Sequence, residues 1–208
     1  MATFDFLKGI SGKVGSVVYY VTKDGKLVIR EHSVSKNPRT PKQQANREKF
    51  GLVNKRLSPL SAFIKRGHPN HQNVYREIAN KARQEAVVGE YPNFEFDYSK
   101  VQIASGSLSA PVGVQLRHDP EAGSVTFRWD PSHVETSQSG SGNDKVYIVC
   151  FNADLPAEGT LKQPATRADG EAIVELPAEW ETGSTHFWMY FASPDLQKNS
   201  NSLHLKVG

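Results

Sequence analysis

Hydrophobic positions follow two periodicities along the chain. The change from one to the other separates an early part with predicted helices and strands from a later β-rich part. Apolar segments at residues 17–21 and 27–30 flank a turn on Asp24-Gly25, a pattern that predicts a β-hairpin. A helical stretch from about 41 to 66 follows, with one apolar stripe at spacings of three and four. The stripe consists of Phe50, Val53, Leu57, Leu60 and Ile64.

Polar and proline residues mark where this helical stretch begins and where it is interrupted. Thr40 is suited to cap the helix, with Pro41 at its first position and Gln43 placed to reach back in a capping box. Pro59 lies inside the stretch. Either the helix kinks at Pro59, or two helices meet near Ser58.

A second helix is predicted after the loop at residues 67–70, and Gly89 is expected to close it. Its apolar face consists of Tyr75, Ile78, Ala79, Ala82 and Ala86. The period then changes to two in the aromatic segment Phe94, Phe96 and Tyr98.

About seven strands are predicted after a linker at residues 104–111, which is rich in small and turn-forming residues. The main ones lie at residues 112–116, 125–129, 146–151, 172–176, 187–191 and 203–207, with a short one near 159–162. Strands of this length and spacing predict an immunoglobulin or fibronectin type III-like sandwich, with Trp129 and Trp188 packed between the sheets. The fold class expected for the whole chain is α+β.

Charge is distributed unevenly over the 208 residues, although the net charge is only +3. Residues 1–100 hold 18 Lys and Arg against 9 Asp and Glu, whereas residues 101–208 hold 7 against 13. This contrast and the position of the linker predict two domains. They are a basic hairpin-plus-helices domain at 1–104 and an acidic β-sandwich domain at 105–208.

The composition favours a globular protein with a core of its own, since 38% of the residues are hydrophobic. The chain has no run of about 18 apolar residues, and its first residues lack the pattern of a secretory signal, so we expect no membrane partner and a cytoplasmic location. Cys150 is the single cysteine, which excludes an intramolecular disulfide and a zinc-cysteine cluster. We expect it to be a core thiol.

Several short segments of the chain have a distinctive sequence. The most specific is Asn-Pro-Arg-Thr-Pro-Lys-Gln-Gln at residues 37–44, and the others lie at 12–18, 57–60, 97–101 and 199–203. Together they resemble an uncharacterised family of Bacteroidetes proteins, a domain of unknown function. Asn-Pro-x-Thr segments followed by Gln-Gln are also similar to parts of some phage and prophage structural proteins. That likeness implies a virion or mobile-element role, and neither resemblance implies a catalytic residue.

The chain contains residue types that occur in metal-binding and phosphate-binding motifs, but their pattern does not indicate an active site. His68 and His71 form a His-x-x-His pair without a third ligand at a suggestive spacing, and an interhelix loop is the preferred interpretation. Gly9, Gly12 and Gly15 match no phosphate-binding motif and indicate turns or close packing. We therefore expect no catalytic, cofactor-binding or metal-binding residues, and no enzyme.

A basic surface is the remaining functional feature. It is predicted around the start of the first helix, and its candidate contact residues are Arg39, Lys42, Arg47, Lys55 and Arg56. The favoured function is a non-enzymatic interaction or structural module that binds an unknown protein or a second copy, since the two halves carry opposite charge. The alternative is nucleic-acid binding by the basic helices, with an affinity that falls as salt rises.

Overall fold

The computed structural model describes residues 3–5, 9–33, 40–131, 140–156 and 159–207. Two compact units divide the chain, residues 1–43 and residues 44–208. The α+β class is confirmed, with β-structure predominant. Among the described residues, no helix has both the length and the hydrophobicity that crossing a membrane requires.

The first unit is a four-stranded antiparallel sheet whose strands follow one another in chain order. The strands are β1 (Thr3–Asp5), β2 (Gly9–Val14), β3 (Val17–Val21) and β4 (Leu27–Glu31). The predicted hairpin is confirmed as β3 and β4, with Tyr19 opposite Ile29 and Gly25 in the turn at φ 77°. The sequence analysis missed β1 because it is only three residues long, and it missed β2 because two of its six residues are glycine, which has little β-propensity.

The helix predicted after Thr40 is α1 (Pro41–Leu57). The Gln43 side chain accepts hydrogen bonds from the Thr40 backbone N–H at 3.4 Å and from its hydroxyl at 2.8 Å. This is the returning half of a capping box. The other half is absent, because the Gln43 N–H donates to the Thr40 carbonyl instead.

Pro59 separates two helices, which decides between the alternatives left open by the sequence. A 3₁₀ turn (Ser58–Leu60) joins α1 to α2 (Ser61–Arg66). The next helix, α3, spans Val74–Glu85 and ends earlier than expected. Gly89 was expected to close α3 but lies inside a strand instead, in a short hairpin of β5 (Val87–Glu90) and β6 (Asn93–Phe96).

Two further antiparallel sheets make up the rest of the second unit. The three-stranded sheet has the order β11-β8-β7, and the four-stranded sheet has the order β10-β9-β12-β13. Their strands are β7 (Gln115–Asp119), β8 (Ser124–Arg128), β9 (Lys145–Asn152), β10 (Thr160–Lys162), β11 (Glu171–Glu175), β12 (Thr185–Ala192) and β13 (Leu203–Leu205). The expected strand at 112–116 thus begins three residues later, after Gly113 at φ 64°.

The four-stranded sheet is buried on both faces. Its strands β9 and β12 are apolar without alternation, which is what two-sided burial requires. One face packs on the three-stranded sheet in an inter-sheet core that includes Phe127, Trp129, Ile148, Phe187 and Met189. The other face packs on the helices in a helix–sheet core that includes Leu57, Leu60, Ile64, Tyr147, Phe151, Trp188 and Tyr190.

Trp129 lies between the two sheets, as predicted, and its indole N–H donates to the Arg167 carbonyl at 2.8 Å. The prediction for Trp188 was wrong. Side chains of neighbouring strand residues point to opposite faces, so Trp188 faces the helices while Phe187 and Met189 face the other sheet. The indole N–H of Trp188 donates to the Val101 carbonyl at 2.9 Å.

The segment at residues 104–111, expected to be a linker, is bonded to the C-terminal part of the same unit. The Ser202 hydroxyl accepts from the backbone N–H groups of Ile103 and Ala104, and the Leu108 N–H donates to the Asn199 carbonyl at 3.1 Å. Ala104 is fully buried. The domain boundary expected between residues 104 and 105 therefore falls inside the second compact unit.

Candidate functional site

The predicted contact surface contains residues in different situations. Arg39 lies outside the described residues. Lys42, Arg47 and Lys55 are exposed on α1. Arg56 is only partly exposed, and its Nη1 donates to the Ala153 carbonyl at 3.4 Å. Arg56 thus holds α1 against the end of β9, which is a structural role.

The basic side chains of α1 do not form one face. Lys42, Lys49 and Arg56 are spaced by seven residues, so they share one side of the helix. On that side the Lys49 ammonium lies 4.9 Å from the centre of the Phe94 ring. Lys55 is on another side, seven residues after the acidic Glu48. The helix therefore presents dispersed and partly neutralised charge.

The exposed face of the first unit is the most unusual surface in the chain. The strand register places Val14, Val17, Tyr19, Val21, Leu27 and Ile29 on one side of the sheet. Leu27 is 52% exposed and Ile29 is 59% exposed. Among the described side chains of this unit, residues 11–33 and 40–43, none is buried. This sheet has no core of its own there, whereas sheets normally bury one face.

A groove follows the loop between α2 and α3, and we call it the basic groove. It consists of three adjoining clefts of about 220, 230 and 210 Å³. The first two share His68, His71 and Ser105, and the last two share Pro69 and Asn199. Each cleft therefore adjoins the next on the second unit.

Cations predominate along the basic groove. Arg66, Lys81, Lys100 and Lys198 line it and are exposed, and Glu77 is the one carboxylate among its described lining residues. Lys81 is paired with Glu85, which does not line the groove, at 3.9 Å. The Glu77 carboxylate lies 3.4 Å from His71 Nε2. The net effect is a positive potential along a concave surface.

The two histidines of the His-x-x-His pair both line the groove. The interhelix loop predicted for them is confirmed. His68 Nδ1 lies 2.8 Å from the Ile64 carbonyl and donates to it, which leaves Nε2 as an acceptor. Burial lowers the pKa of His68, the hydrogen bond to Ile64 opposes this shift, and the neighbouring His71 adds to it. His68 is therefore neutral at neutral pH.

The floor and far wall of the groove are apolar and largely buried. Val74, Ala82 and Val101 form the floor of the first cleft and are at most 3% exposed. In the third cleft, the rings of Tyr147 and Tyr190 are stacked at 5.4 Å, and Arg66 covers Tyr147 at 5.2 Å. Leu196, at φ 60°, lines the same cleft. A non-glycine residue in this conformation indicates local strain of the kind found at binding sites.

Two other clusters of polar side chains lie outside the groove. His186 Nδ1 lies 3.0 Å from His204 Nε2, and burial followed by the charge of His204 lowers the pKa of His186 to about 4. Arg167 and Asp144 form an ion pair at 3.1 Å, and both side chains are 2% exposed. In the part of the chain that the structure describes, no group of three His, Cys, Asp or Glu side chains could hold a metal ion.

Cys150 is a core thiol, as predicted. It is 1% exposed, and burial raises its pKa to about 12, so it is not a nucleophile in the folded protein. Sequence reasoning paired His68 with His71 but connected neither of them to Arg66 or Lys81. It missed Lys100 and Lys198, because no local signal places residues so far apart along one groove.

Residues 9–206 match the model of DUF6266, a family of unknown function. No curated protein matches the chain.

Proposed function

The chain belongs to DUF6266, and we propose that this member of a family of unknown function is a non-enzymatic interaction or structural module. The observation that carries the proposal is the exposed face of the first unit, which is centred on Leu27 and Ile29. A contiguous apolar surface of this kind is typical of a protein–protein contact. The second unit, with two buried cores, is the stable part that presents it.

The partner in this proposal is a second copy of the chain, bound head to tail. Residues 1–43 hold 8 Lys and Arg against 3 Asp and Glu, whereas residues 101–208 hold 7 against 13. Opposite charge of this kind favours contact between the first unit of one copy and the β-rich part of the next. A heterologous contact leaves one binding face free at each end, so copies add in rings or filaments.

The receiving surface is the outer face of the three-stranded sheet, which we call the acidic face. On its edge strand β11, Ile173 is 61% exposed between Glu171 and Glu175, and Asp119 lies on the same face in β7. Arg117 and Arg128 also lie on this face, and Arg128 is paired with Glu171 at 3.3 Å, so three carboxylates face two guanidinium groups. An exposed apolar side chain flanked by charged residues is a common element of an interface.

Sedimentation velocity with two charge-introducing variants tests this arrangement. The wild-type chain should associate as its concentration rises at low salt, and association should weaken at high salt. Ile29→Asp and Ile173→Asp should each sediment as monomers. An equimolar mixture of the two should recover a dimer, because each variant retains the face that the other lacks. Val88→Asp, at a position 44% exposed in β5, is the matched control and should associate like the wild type.

Different results identify different errors. A wild-type monomer at high concentration and low salt contradicts self-association altogether. If Ile173→Asp still associates while Ile29→Asp does not, the exposed face pairs with itself and the head-to-tail arrangement is wrong. If the mixture of Ile29→Asp and Ile173→Asp forms no dimer, the acidic face is not the receiving surface.

The resemblance noted in the sequence supports a finer version of the proposal. In this version the second unit is a fibronectin-like sandwich with an added helical layer, since its sheets contain three and four strands. The protein would then be a cytoplasmic or virion-associated component from a Bacteroidetes phage or mobile element. Neighbouring tail or capsid genes would support this origin, and their absence across the family would argue against it.

Nucleic-acid binding remains the alternative proposal, and its support is the exposed Lys42, Arg47 and Lys55. Their dispersion around α1 reduces that support, since a phosphate backbone is bound by cations aligned on one surface. Titration with a random-sequence oligonucleotide at low salt tests it. Steeply salt-dependent binding that Arg47→Glu weakens would favour this alternative over self-association.

A further inference from the structure

We propose that the basic groove of the second unit binds an extended, acidic peptide segment of a partner protein. All of the residues that line it belong to the second unit. The first observation is its shape, because three clefts of about 220, 230 and 210 Å³ adjoin one another. Each cleft is smaller than the 300 to 1,000 Å³ typical of a small-molecule site. A row of shallow clefts fits successive side chains of an extended chain.

The positive charge of the groove favours an acidic peptide. Arg66, Lys100 and Lys198 lie along the groove, together with Lys81, which is paired with Glu85 at 3.9 Å. Glu77 is the single carboxylate among the described lining residues, and His71 lies 3.4 Å from it. Lysine ammonium groups in a concave surface attract carboxylates and raise their local concentration.

The apolar parts of the groove favour aliphatic residues in the peptide, between its acidic residues. Val74, Ala82 and Val101 form an apolar floor in the first cleft, and Ala192 and Leu196 line the third. Aliphatic side chains of the peptide would occupy these positions, where they exclude water and strengthen the neighbouring ion pairs. The bound segment therefore alternates acidic and aliphatic residues.

The aromatic rings of the groove favour a peptide over a single-stranded nucleic acid. Binding of single strands needs exposed rings on which bases stack. Tyr147 and Tyr190 are 3% and 1% exposed, and their faces are occupied by each other and by Arg66. Among the described residues of the groove, neither tyrosine offers a free ring face, and the exposed imidazole of His71 is held beside Glu77 at 3.4 Å, so there is no row of rings on which successive bases could stack.

Fluorescence anisotropy with labelled peptides tests the proposal on the full chain. The probe is an eight-residue peptide of alternating glutamate and leucine, and its matched control has glutamine in place of every glutamate. In about 0.1 M salt, where charges beyond about 10 Å are screened, the acidic peptide should bind at least tenfold more tightly than the neutral one. An oligothymidine of eight nucleotides serves as the nucleic-acid probe and should bind more weakly than the acidic peptide.

Variants locate the binding to the groove. Lys100→Glu and Lys198→Glu, at two exposed positions in different clefts, should each weaken acidic-peptide binding about tenfold. Lys55→Glu makes the same charge change on α1, away from the groove, and should change the affinity less than twofold.

Four outcomes would overturn the proposal. They are the absence of saturable binding of the acidic peptide, equal binding of the neutral peptide, equal weakening by Lys55→Glu, and tighter binding of the oligothymidine. The peptide is also titrated against Ile29→Asp, the variant expected to be a monomer. If this variant binds the acidic peptide as the wild type does, peptide binding does not depend on self-association, so each proposal can fail without the other.

Discussion

The two compact units meet the need for a buried core in opposite ways. In the second unit a four-stranded sheet is covered on both faces, by helices on one side and by another sheet on the other. In the first unit a sheet of the same strand number has no buried side chain among those described. Strand number alone thus does not stabilise a sheet, since stability requires a layer that covers its apolar face. The difference indicates that the first unit is built for contact and the second for stability.

The largest expected effect of a single substitution lies in the second unit, at the buried ion pair. Asp144→Ala removes the partner of Arg167, whose guanidinium is 2% exposed and lies 4.0 Å from the centre of the Phe191 ring. An uncompensated buried charge should lower the free energy of unfolding by about 3 to 5 kcal/mol, measured by urea denaturation.

The double variant Asp144→Leu with Arg167→Met is the control for this prediction. It removes both charges, so it should recover much of the lost stability. A loss below about 1 kcal/mol in the single variant would mean that water reaches the pair.

The helix–sheet core should be nearly as sensitive. Leu57 is fully buried in this core, and Leu57→Ala should lower the free energy of unfolding by about 2 to 5 kcal/mol because a cavity remains. Phe50→Ala is the matched control on the same helix. Phe50 was predicted in the same apolar stripe but is 60% exposed, so its truncation should cost less than about 0.5 kcal/mol. Equal losses would contradict the position of Phe50.

Acid should weaken the second unit through its histidine pair. The pKa of His186 is about 4 in the folded protein, against 6.5 ordinarily. Between these values the unfolded chain binds a proton that folded His186 does not, so stability should fall as the pH drops from about 6.5 to 4. With allowance for solvent screening, the loss is about 1 to 2 kcal/mol.

Several charged groups surround this pair. His204 and Lys206 lower the pKa of His186, and Asp97 raises it. Urea denaturation at a series of pH values measures the slope, which His186→Gln should flatten. An unchanged slope in that variant would assign the acid sensitivity to other groups.

The smallest effect on stability is expected in the first unit. Ile29→Thr keeps a β-branched residue in β4 at a position 59% exposed, so the free energy of unfolding should change by less than about 0.5 kcal/mol. The measurement uses dilute protein, so that association does not contribute. A loss above about 1 kcal/mol would mean that this face is covered within the monomer, and the contrast between the units would disappear.

Local patterns predicted much of the secondary structure. The Asp24-Gly25 turn, the start of α1 after Thr40, the break at Pro59 and the two central strands are each encoded by neighbouring residues. The uninterrupted apolar runs of β9 and β12 also indicated burial on both faces, a signal from which the helical layer could have been predicted. The charge difference between residues 1–100 and 101–208 instead suggested a domain boundary at the segment 104–111, which is hydrogen-bonded to the rest of the second unit.

Neighbouring residues encode the start of α1, the break at Pro59 and the Asp24-Gly25 turn, because capping, turn formation and apolar periodicity depend on residues close in the chain. Long-range packing set which faces are covered. It packed Trp188 on the helices, left Phe50 and Ile29 exposed, and brought Lys100 and Lys198 into one groove. Those contacts join residues distant in sequence, and their energy depends on shape and burial that no local pattern records.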